Sequence, residues 1–389
     1  MIGARVRQAR LAAGLSLDQL ASKLTRPLTK QALSKYETNK SEPSASTLVD
    51  IARALAVKPS YLLSEPEVSV TWAAYRKRSS LSTRNQETIT AIATRRLESE
   101  LQLRNLFGVG LKDTLPREIP VYDAQTAEQA AELVRTGWDL GLFPINGLIE
   151  TVEDHGGIVL SWAEDRAFDG LSGWTGDECP VIVINSATTA DRRRFDVAHE
   201  LGHLVMALRE DTADYESLAH RFAAALLVPR DAALRELGNK RRNLSIPELG
   251  LLKERWGLSM QGWIRRAYDL EVIDYRQYRA LNILFRQHAW HRLEPYQYEG
   301  TEEPLLLRRL VWRALTEGII SAREAKEIYP AYESEKGTLD ALEPSLRQIA
   351  QLPRDERHRL IAAAHLEVDE AEVELWDAAS CDALNGEAK

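Results

Sequence analysis

Apolar residues near the start of the chain recur every three or four positions, which is the spacing of amphipathic helices. The pattern is interrupted where helices would end, at Gly14, Pro27 and Asn39. Hydroxyl side chains that can cap a helix precede the apolar segments, at Ser16, Thr29 and Ser44 or Ser46. The pattern therefore predicts five short helices between residues 4 and 63.

The next part of the chain combines a linker, two helices and two short strands. Residues 64–88 are rich in Ser and Thr and predict a linker, and a helix is expected from about Asn85 to Phe107. A second helix is expected over residues 127–140. The β-branched runs Ile158–Leu160 and Val181–Ile184 follow glycine or proline and predict two strands.

After Asn185 the spacing of apolar residues is helical almost throughout. Helices are expected around residues 190–207, 214–228, 246–255, 260–269, 274–287, 304–317 and 321–328. Many helices and few strands predict a fold that is mainly α with a small β-sheet, of the α+β class.

The composition of the 389 residues is that of a globular protein, with 44% hydrophobic and 28% charged residues. No apolar run reaches the ~18–20 residues that cross a bilayer, and the N-terminus lacks the pattern of a secretory signal. The two cysteines, Cys179 and Cys381, are far apart, which argues against a disulfide framework. We therefore expect a cytoplasmic protein without a membrane partner.

The net charge of −8 is unevenly distributed along the chain. Residues 1–66 contain ten Lys and Arg residues against five Asp and Glu residues, a net charge of +5, so the remainder carries −13. A basic segment on an acidic body suggests that this end binds a polyanion such as nucleic acid. A chance fluctuation over so short a segment is the alternative explanation.

Residues His199-Glu200-Leu201-Gly202-His203 form an HExxH sequence within a predicted helix. Positions i and i+4 share one face of a helix, so both imidazoles can reach one metal ion. Glu200 lies beside them and can take a proton from an attacking water. The neighbouring residues are apolar, so the histidines would be buried and a metal would satisfy them. The alternative is a surface helix with two ordinary histidines.

A catalytic zinc site requires a third protein ligand. Glu216 opens the next predicted helix and is the first candidate, although stabilisation of the helix dipole alone would also explain an acidic residue there. His220 lies one turn further on the same face, as a substitute ligand, an outer partner of the ligands or a catalytic aid to the substrate oxyanion. Asp211 and Asp214 are weaker candidates.

Residues 192–229, RRRFDVAHELGHLVM…ESLAHRFAAALLVP, resemble the ImmA/IrrE family of zinc metallopeptidases. The resemblance extends over about residues 120–325. It implies a Zn²⁺ cofactor, with the family's metal ligands falling on His199, His203 and Glu216 and its general base on Glu200. Ala207 stands where many relatives have a further histidine, which is not a usual ligand, so this departure leaves the expected metal binding intact.

Residues 29–41, TKQALSKYETNKS, resemble the recognition helix of Xre/Cro-type repressors, whose first residues enter the major groove of DNA. The side chains expected at base edges are Lys30, Gln31, Ser34 and Lys35, since lysine suits guanine and glutamine suits adenine. Phosphate contacts are expected from the following turn, at Asn39, Lys40 and Ser41. Tyr36 and Glu37 are expected to pack within the domain. The alternative is a module used only for protein contacts.

These features divide the chain into four expected regions. They are a helix-turn-helix DNA-binding domain at 1–66, a linker and helix at 67–118, an ImmA/IrrE-like metallopeptidase domain at 119–290, and a helical C-terminal region with an acidic tail at 291–389. The expected architecture is thus a five-helix Xre-type domain, a linker helix, a zincin-like domain and a helical end.

The predicted function is a sequence-specific transcriptional regulator that binds operator DNA as a homodimer and whose zinc domain cleaves or senses a partner protein. Peptide hydrolysis itself stays open, because the same ligands serve catalytic and structural zinc. The alternative function is an antitoxin that represses its own operon and neutralises a toxin, such as a nuclease, by binding, with structural zinc. In that case the acidic body and the amphipathic tail would cover a basic toxin surface. The acidic run at 367–377 is most simply a solvated helix face, and a docking surface for a basic partner is the alternative.

Overall fold

The computed structural model describes residues 2–65, 68–72, 83–109, 115–162, 168, 170–176, 179–208, 215–329, 331–333, 335, 336 and 356. The chain divides into two units, Met1–Arg313 and Ala314–Lys389. The acidic run at 367–377 and the candidate ligands Asp211 and Asp214 lie outside the described residues. Among the helices of the described ranges, none is long and apolar enough to cross a membrane.

The five short helices predicted at the start of the chain are confirmed. They are α1 (Ile2–Ala12), α2 (Leu17–Lys23), α3 (Lys30–Glu37), α4 (Ala45–Ala54) and α5 (Pro59–Leu63). The hydroxyl oxygens of Ser16, Thr29 and Ser44 accept from backbone N–H groups of the first turns of α2, α3 and α4, as the capping pattern indicated. Apolar residues from all five helices form one core.

A long helix and a four-stranded sheet follow these helices. The elements are β1 (Val70–Trp72), α6 (Thr83–Leu106), β2 (Ile119–Val121), α7 (Ala124–Gly137), α8 (Leu148–Asp154), β3 (Ile158–Trp162), β4 (Gly170–Thr175) and β5 (Cys179–Asn185). The strand order is β1-β4-β5-β3, with β3 parallel to β5 and β4 antiparallel to both of its neighbours. The predicted strands at 158–160 and 181–184 are confirmed as β3 and β5.

The second half is helical, as predicted, apart from one short strand. Its elements are α9 (Ala190–Val205), β6 (Met206–Leu208), α10 (Tyr215–Leu227), α11 (Arg230–Leu237), α12 (Ile246–Trp256), α13 (Met260–Asp269), α14 (Tyr275–Gln287), α15 (Leu306–Thr316) and α16 (Ala322–Ile328). The helix expected over 190–207 ends at Val205, because Met206 is extended and β6 pairs in parallel with β2. The prediction missed α8 and α11, which are only seven and eight residues long. The fold is mainly α with a small mixed sheet, and the predicted α+β class is confirmed.

The alternation of side chains along β3 and β5 covers both faces of the sheet. Ile158 and Val181 face one core, which includes Ile89 and Leu97 of α6. The next residues along each strand belong to the larger core that contains α9 and α10. The sheet is therefore enclosed on both faces, and α9 is held against one of them.

Helix α6 also contacts the N-terminal helices. The guanidinium of Arg5 on α1 pairs with Glu98 on α6 at 2.7 Å, and both side chains are buried. Arg5 Nε also donates to the carbonyl of Ser64. At the exposed end of α6, Arg84 Nη2 donates to the carbonyl of Gly14 and to the side chain of Gln19. One helix thus joins the basic N-terminal segment to the sheet.

Two carboxylates between α14 and α15, one buried and one half-buried, fix the position of α9. Glu302 accepts from the backbone N–H groups of Leu148 and Ile149 and pairs with Arg194 of α9 at 2.5 Å. Glu294 pairs at 2.9 Å with Lys253, which in turn lies 3.0 Å from a carboxylate oxygen of Asp191 on α9. Both carboxylates lie after the expected domain boundary at residue 290, yet they support the helix that carries the HExxH sequence.

Candidate metal centre and nucleic-acid interface

Helix α9 packs closely against α10, so the ligands on the two helices come together. Val197, Ala198 and Leu201 are fully buried on α9. At Gly202, a Cβ atom would lie 3.0 Å from the ring of Phe222 on α10, so the glycine permits the close approach of the two helices. This approach brings the first turn of α10, with Glu216, beside the two histidines of α9.

The side chains of His199, His203 and Glu216 converge on one point. The Nε2 atoms of the two histidines are 3.0 Å apart. The carboxylate oxygens of Glu216 lie 3.3 Å from His199 Nε2 and 3.8 Å from His203 Nε2. Tetrahedral ligands with bonds of ~2.0–2.1 Å are separated by about 3.3 Å, so the arrangement fits a zinc ion. Both imidazoles are buried, which makes a shared metal the natural partner of their nitrogen atoms.

Glu200 is held from the sheet by a residue that the sequence motifs did not identify. Ser172 Oγ on β4 donates to Glu200 Oε2 at 2.7 Å, and both side chains are buried. At Gly170, on the same strand, a Cβ atom would lie 2.7 Å from Glu200 Oε1. Strand β4 therefore provides both a hydrogen bond and the space that the carboxylate occupies. An isolated serine in a strand carries no sequence signal of such a role.

His220 lies beside the three converging residues, as its helical spacing predicts. Its ring centroid is 4.5 Å from that of His199, and its Nδ1 lies 2.7 Å from the carbonyl oxygen of Glu216. Because a carbonyl only accepts, Nδ1 carries the proton and Nε2 offers a lone pair. Although the residue is exposed, desolvation of its ring, together with the neighbouring His199, lowers the pKa of His220 to about 4. A neutral ring in this tautomer fits a substitute ligand better than a donor to an oxyanion.

Tyr215 is a second neighbour of the centre that the motifs did not indicate. Its ring stacks on that of His203, with centroids 4.6 Å apart and planes 29° apart. Burial, reinforced by the negative charges of Glu200 and Glu216, raises the pKa of the Tyr215 hydroxyl above its usual value. The phenol therefore stays protonated throughout the neutral range and packs against the ring of one candidate metal ligand.

The expected base-reading residues lie on one exposed side of α3. Leu33 is fully buried and anchors the helix in the N-terminal core. Lys30, Gln31 and Lys35 are exposed and Ser34 is half-buried. Lys30 Nζ forms an exposed ion pair with Asp18 at 2.9 Å, which water weakens strongly. These side chains are thus available to a ligand without any change in the fold.

The turn after α3 is built by residues of the expected phosphate-binding set. Asn39 has a φ of 53°, the left-handed conformation that asparagine tolerates. Its side-chain oxygen accepts from the backbone N–H of Gly3 at 3.0 Å, so the amide nitrogen is the group left to meet a phosphate. Lys40 and Ser41 are exposed beside it.

Glu37 packs within the domain, as predicted. Its two carboxylate oxygens accept from Arg10 Nε and Nη2 at 2.6 and 2.8 Å, and both side chains are nearly buried. This bidentate pair joins α3 to α1 and orients the exposed face of α3. Tyr36 is half-buried against the same core, so its packing role is confirmed as well.

Comparison with known protein families agrees with both motifs. Residues 6–62 match the helix-turn-helix family. Residues 163–268 match the family of peptidases described as the IrrE N-terminal-like domain. The second match is shorter than the expected coverage of residues 120–325, but it includes every residue of the candidate metal centre. No curated protein matches the chain.

Proposed function

We propose that this chain, which joins an Xre-type helix-turn-helix segment to an IrrE/ImmA-like peptidase segment, is a DNA-binding transcriptional regulator with a zinc peptidase that cleaves a partner protein. The convergence of His199, His203 and Glu216 beside Glu200 carries the peptidase half of this proposal. These three residues would hold the ion. When bound, zinc supplies a Lewis acid that lowers the pKa of water and polarises a peptide carbonyl.

Glu200 would move the proton in this reaction. Its carboxylate would accept a proton from the attacking water and return it to the amine of the leaving peptide. The hydrogen bond from Ser172 restrains the rotation of the carboxylate, which keeps the accepting oxygen in place between the two transfers. Burial of Glu200 keeps bulk water away and strengthens these interactions.

The exposed face of α3 and the basic N-terminal segment support the DNA-binding half. Lys30, Gln31, Ser34 and Lys35 would read bases in the major groove, and Asn39, Lys40 and Ser41 would position the domain on phosphates. One such module binds with modest affinity, so we expect a homodimer on a palindromic operator in the cytoplasm. Helix α6 contacts both α1 and the sheet, and would transmit events at the metal centre to the DNA-binding helices.

The test is co-expression of the full chain with each protein encoded beside it, in parallel with the Glu200→Gln variant. Zinc content, partner cleavage and operator binding are measured on both proteins. We expect both to retain zinc and to bind the operator, and only the wild type to cleave a partner. Glutamine preserves size and a hydrogen-bond acceptor for Ser172, so a loss of cleavage would report proton transfer rather than folding.

Two results would contradict the peptidase proposal. Cleavage by both proteins at the same rate would show that Glu200 does not transfer the proton in this reaction. Zinc in both proteins, no cleavage, and a stable complex with a neighbouring nuclease would instead indicate the antitoxin function, in which the zinc is structural. If the wild-type protein did not bind the operator, the proposed DNA-binding function would be contradicted independently of the peptidase function.

A further inference from the structure

A cavity of about 560 Å³ opens beside the candidate metal centre, between α9, α10, α13 and α14. Its volume lies in the range of ligand pockets, which is about 300–1,000 Å³. His220 and Phe195 form its boundary with the metal centre, and their ring centroids are 5.7 Å apart. A peptide whose scissile carbonyl reached His199 would therefore extend a neighbouring group into this cavity.

The accessible charge in the cavity is positive. Arg192 of α9 and Arg265 of α13 both line it, with 53% and 55% of their side chains exposed. Their carboxylate partners Asp196 and Asp269 have side chains only 8% and 11% exposed. The two carboxylates are less exposed than the arginines and hold them through Nε, while about half of each arginine side chain stays accessible to solvent. A guanidinium held in this way is suited to bind a carboxylate through two parallel hydrogen bonds.

Two other polar features of the cavity already form hydrogen bonds or ion pairs within the protein. Asp269 also pairs with Arg221 at 2.9 Å, so it is engaged by two cations. The N-terminus of α13 adjoins the cavity, but Glu294 accepts from its first two N–H groups and Ser259 from the third. An anion entering the cavity would thus bind the two arginines and not the helix end.

We propose that this cavity binds a carboxylate of the substrate peptide next to the scissile bond, with Arg192 and Arg265 as the residues that determine specificity. This inference rests on the proposed peptidase function. The carboxylate could come from a Glu or Asp side chain or from the C-terminus of the chain, since both present the same chemistry to a guanidinium. The cavity would disfavour a lysine or arginine side chain at the same position, because like charges repel.

The test uses short peptide hydroxamates, which bind a zinc ion directly and require no known substrate. Four compounds differ at the position beside the hydroxamate: Glu, Gln or Lys with an amidated C-terminus, and Gln with a free C-terminal carboxylate. Dissociation constants are measured by calorimetry with the zinc-loaded full chain. We expect the Glu compound to bind about tenfold more tightly than the Gln amide, because a charge-assisted hydrogen bond is roughly twice as strong as a neutral one, and the Lys compound to bind least.

Substitution identifies the residues responsible. Arg265→Gln and Arg192→Gln should each weaken binding of the Glu compound more than binding of the Gln amide, and so reduce the preference for the Glu compound. Arg255→Gln is the matched control, since this arginine is similarly exposed on α12, pairs with Glu236 and does not line the cavity. Melting temperatures of all three variants show that the fold is retained.

The outcomes separate this inference from the proposal on which it rests. Binding of all four compounds with equal affinity, or an undiminished preference in both arginine variants, would overturn the carboxylate pocket and leave the peptidase function standing. Tight binding of the free-carboxylate compound alone would support the pocket and assign it to a chain terminus. If the zinc-loaded chain bound none of the hydroxamates, both the proposed metal centre and the proposed pocket would be contradicted.

Discussion

The two functional regions of this chain place their polar residues in opposite ways. On α3, Lys30, Gln31 and Lys35 are exposed and lie outside the core of the N-terminal helices. On α9, His199 and Glu200 are buried within an apolar core. The proposed DNA-reading residues therefore lie on the surface of their domain, whereas the histidines of the candidate metal centre lie in the interior of theirs. Substitutions should separate affinity from stability in the first region and couple them in the second.

The largest effect is expected at Glu37 of α3, because its carboxylate packs within the domain and does not face solvent. Glu37→Ala leaves Arg10 buried without its bidentate partner, so the unfolding free energy should fall by about 3–5 kcal/mol. Lys35→Ala, two positions away on the exposed face, should change it by less than about 0.5 kcal/mol. Denaturant unfolding of the two variants makes the comparison. Equal effects would show that the buried pair does not stabilise this domain.

At the metal centre, His199→Ala removes one converging ligand. Structural zinc sites with four protein ligands bind the ion with about 10–16 kcal/mol, which is roughly 3 kcal/mol per ligand. Loss of one ligand should therefore lower the zinc affinity by about a hundredfold. Competition with a chromogenic chelator measures this change. His155→Ala is the control, because His155 stacks on Trp138 outside the candidate centre. A variant that bound zinc as tightly as the wild type would exclude His199 from the ligand set.

Ser172→Ala tests the support of Glu200 from β4. Loss of an outer hydrogen bond to a reactive group at a metal site should lower partner cleavage by about 10–100-fold while zinc content is unchanged. The pH profile of cleavage should also shift, since the hydrogen bond stabilises the charged carboxylate. Ser172→Thr, which keeps the hydroxyl, should restore part of the activity. An unchanged pH profile in the alanine variant would reduce Ser172 to a packing role.

The smallest effects are expected on the DNA-reading surface. Gln31→Ala should weaken operator binding by about 1–3 kcal/mol and relax the preference for one base, with an unchanged melting temperature. Lys40→Ala should weaken binding to all sequences equally. It should also reduce the slope of the logarithm of the binding constant against the logarithm of salt concentration by about one. Fluorescence anisotropy at several salt concentrations distinguishes the two. If Gln31→Ala affected all sequences alike, its assignment to a base edge would be wrong.

Local patterns in the sequence predicted the parts of this molecule that depend on local spacing. Apolar periodicity and capping residues gave the five N-terminal helices, and the i, i+4 histidines gave one face of α9. The features that the sequence patterns did not predict depend on contacts between residues that are far apart in the sequence. Ser172 and Glu200 form a hydrogen bond although they are 28 residues apart in the sequence, and Arg194 and Glu302 do so at a separation of 108 residues. No local spacing encodes such pairs, so they become visible only once the strands and helices are assembled.

Two further differences have equally physical causes. Helix α9 ends two residues before its expected end because pairing of β6 with β2 replaces the last helical hydrogen bonds. Helix α8 follows Gly147, an N-cap in a left-handed conformation, and is too short for its apolar spacing to distinguish it from a turn. The expected domain boundaries stay predictions, and the ion pairs of Glu294 and Glu302 favour a peptidase domain that extends beyond residue 290.

The most direct test of the account is the zinc content of the purified full chain beside that of the Glu216→Ala variant, measured by mass spectrometry of the metal. If the three converging residues form the centre, the wild type should contain about one zinc ion per chain and the variant much less, since catalytic zinc takes three protein ligands. A wild type without zinc, or a variant that retained it fully, would contradict the central claim that His199, His203 and Glu216 hold the metal.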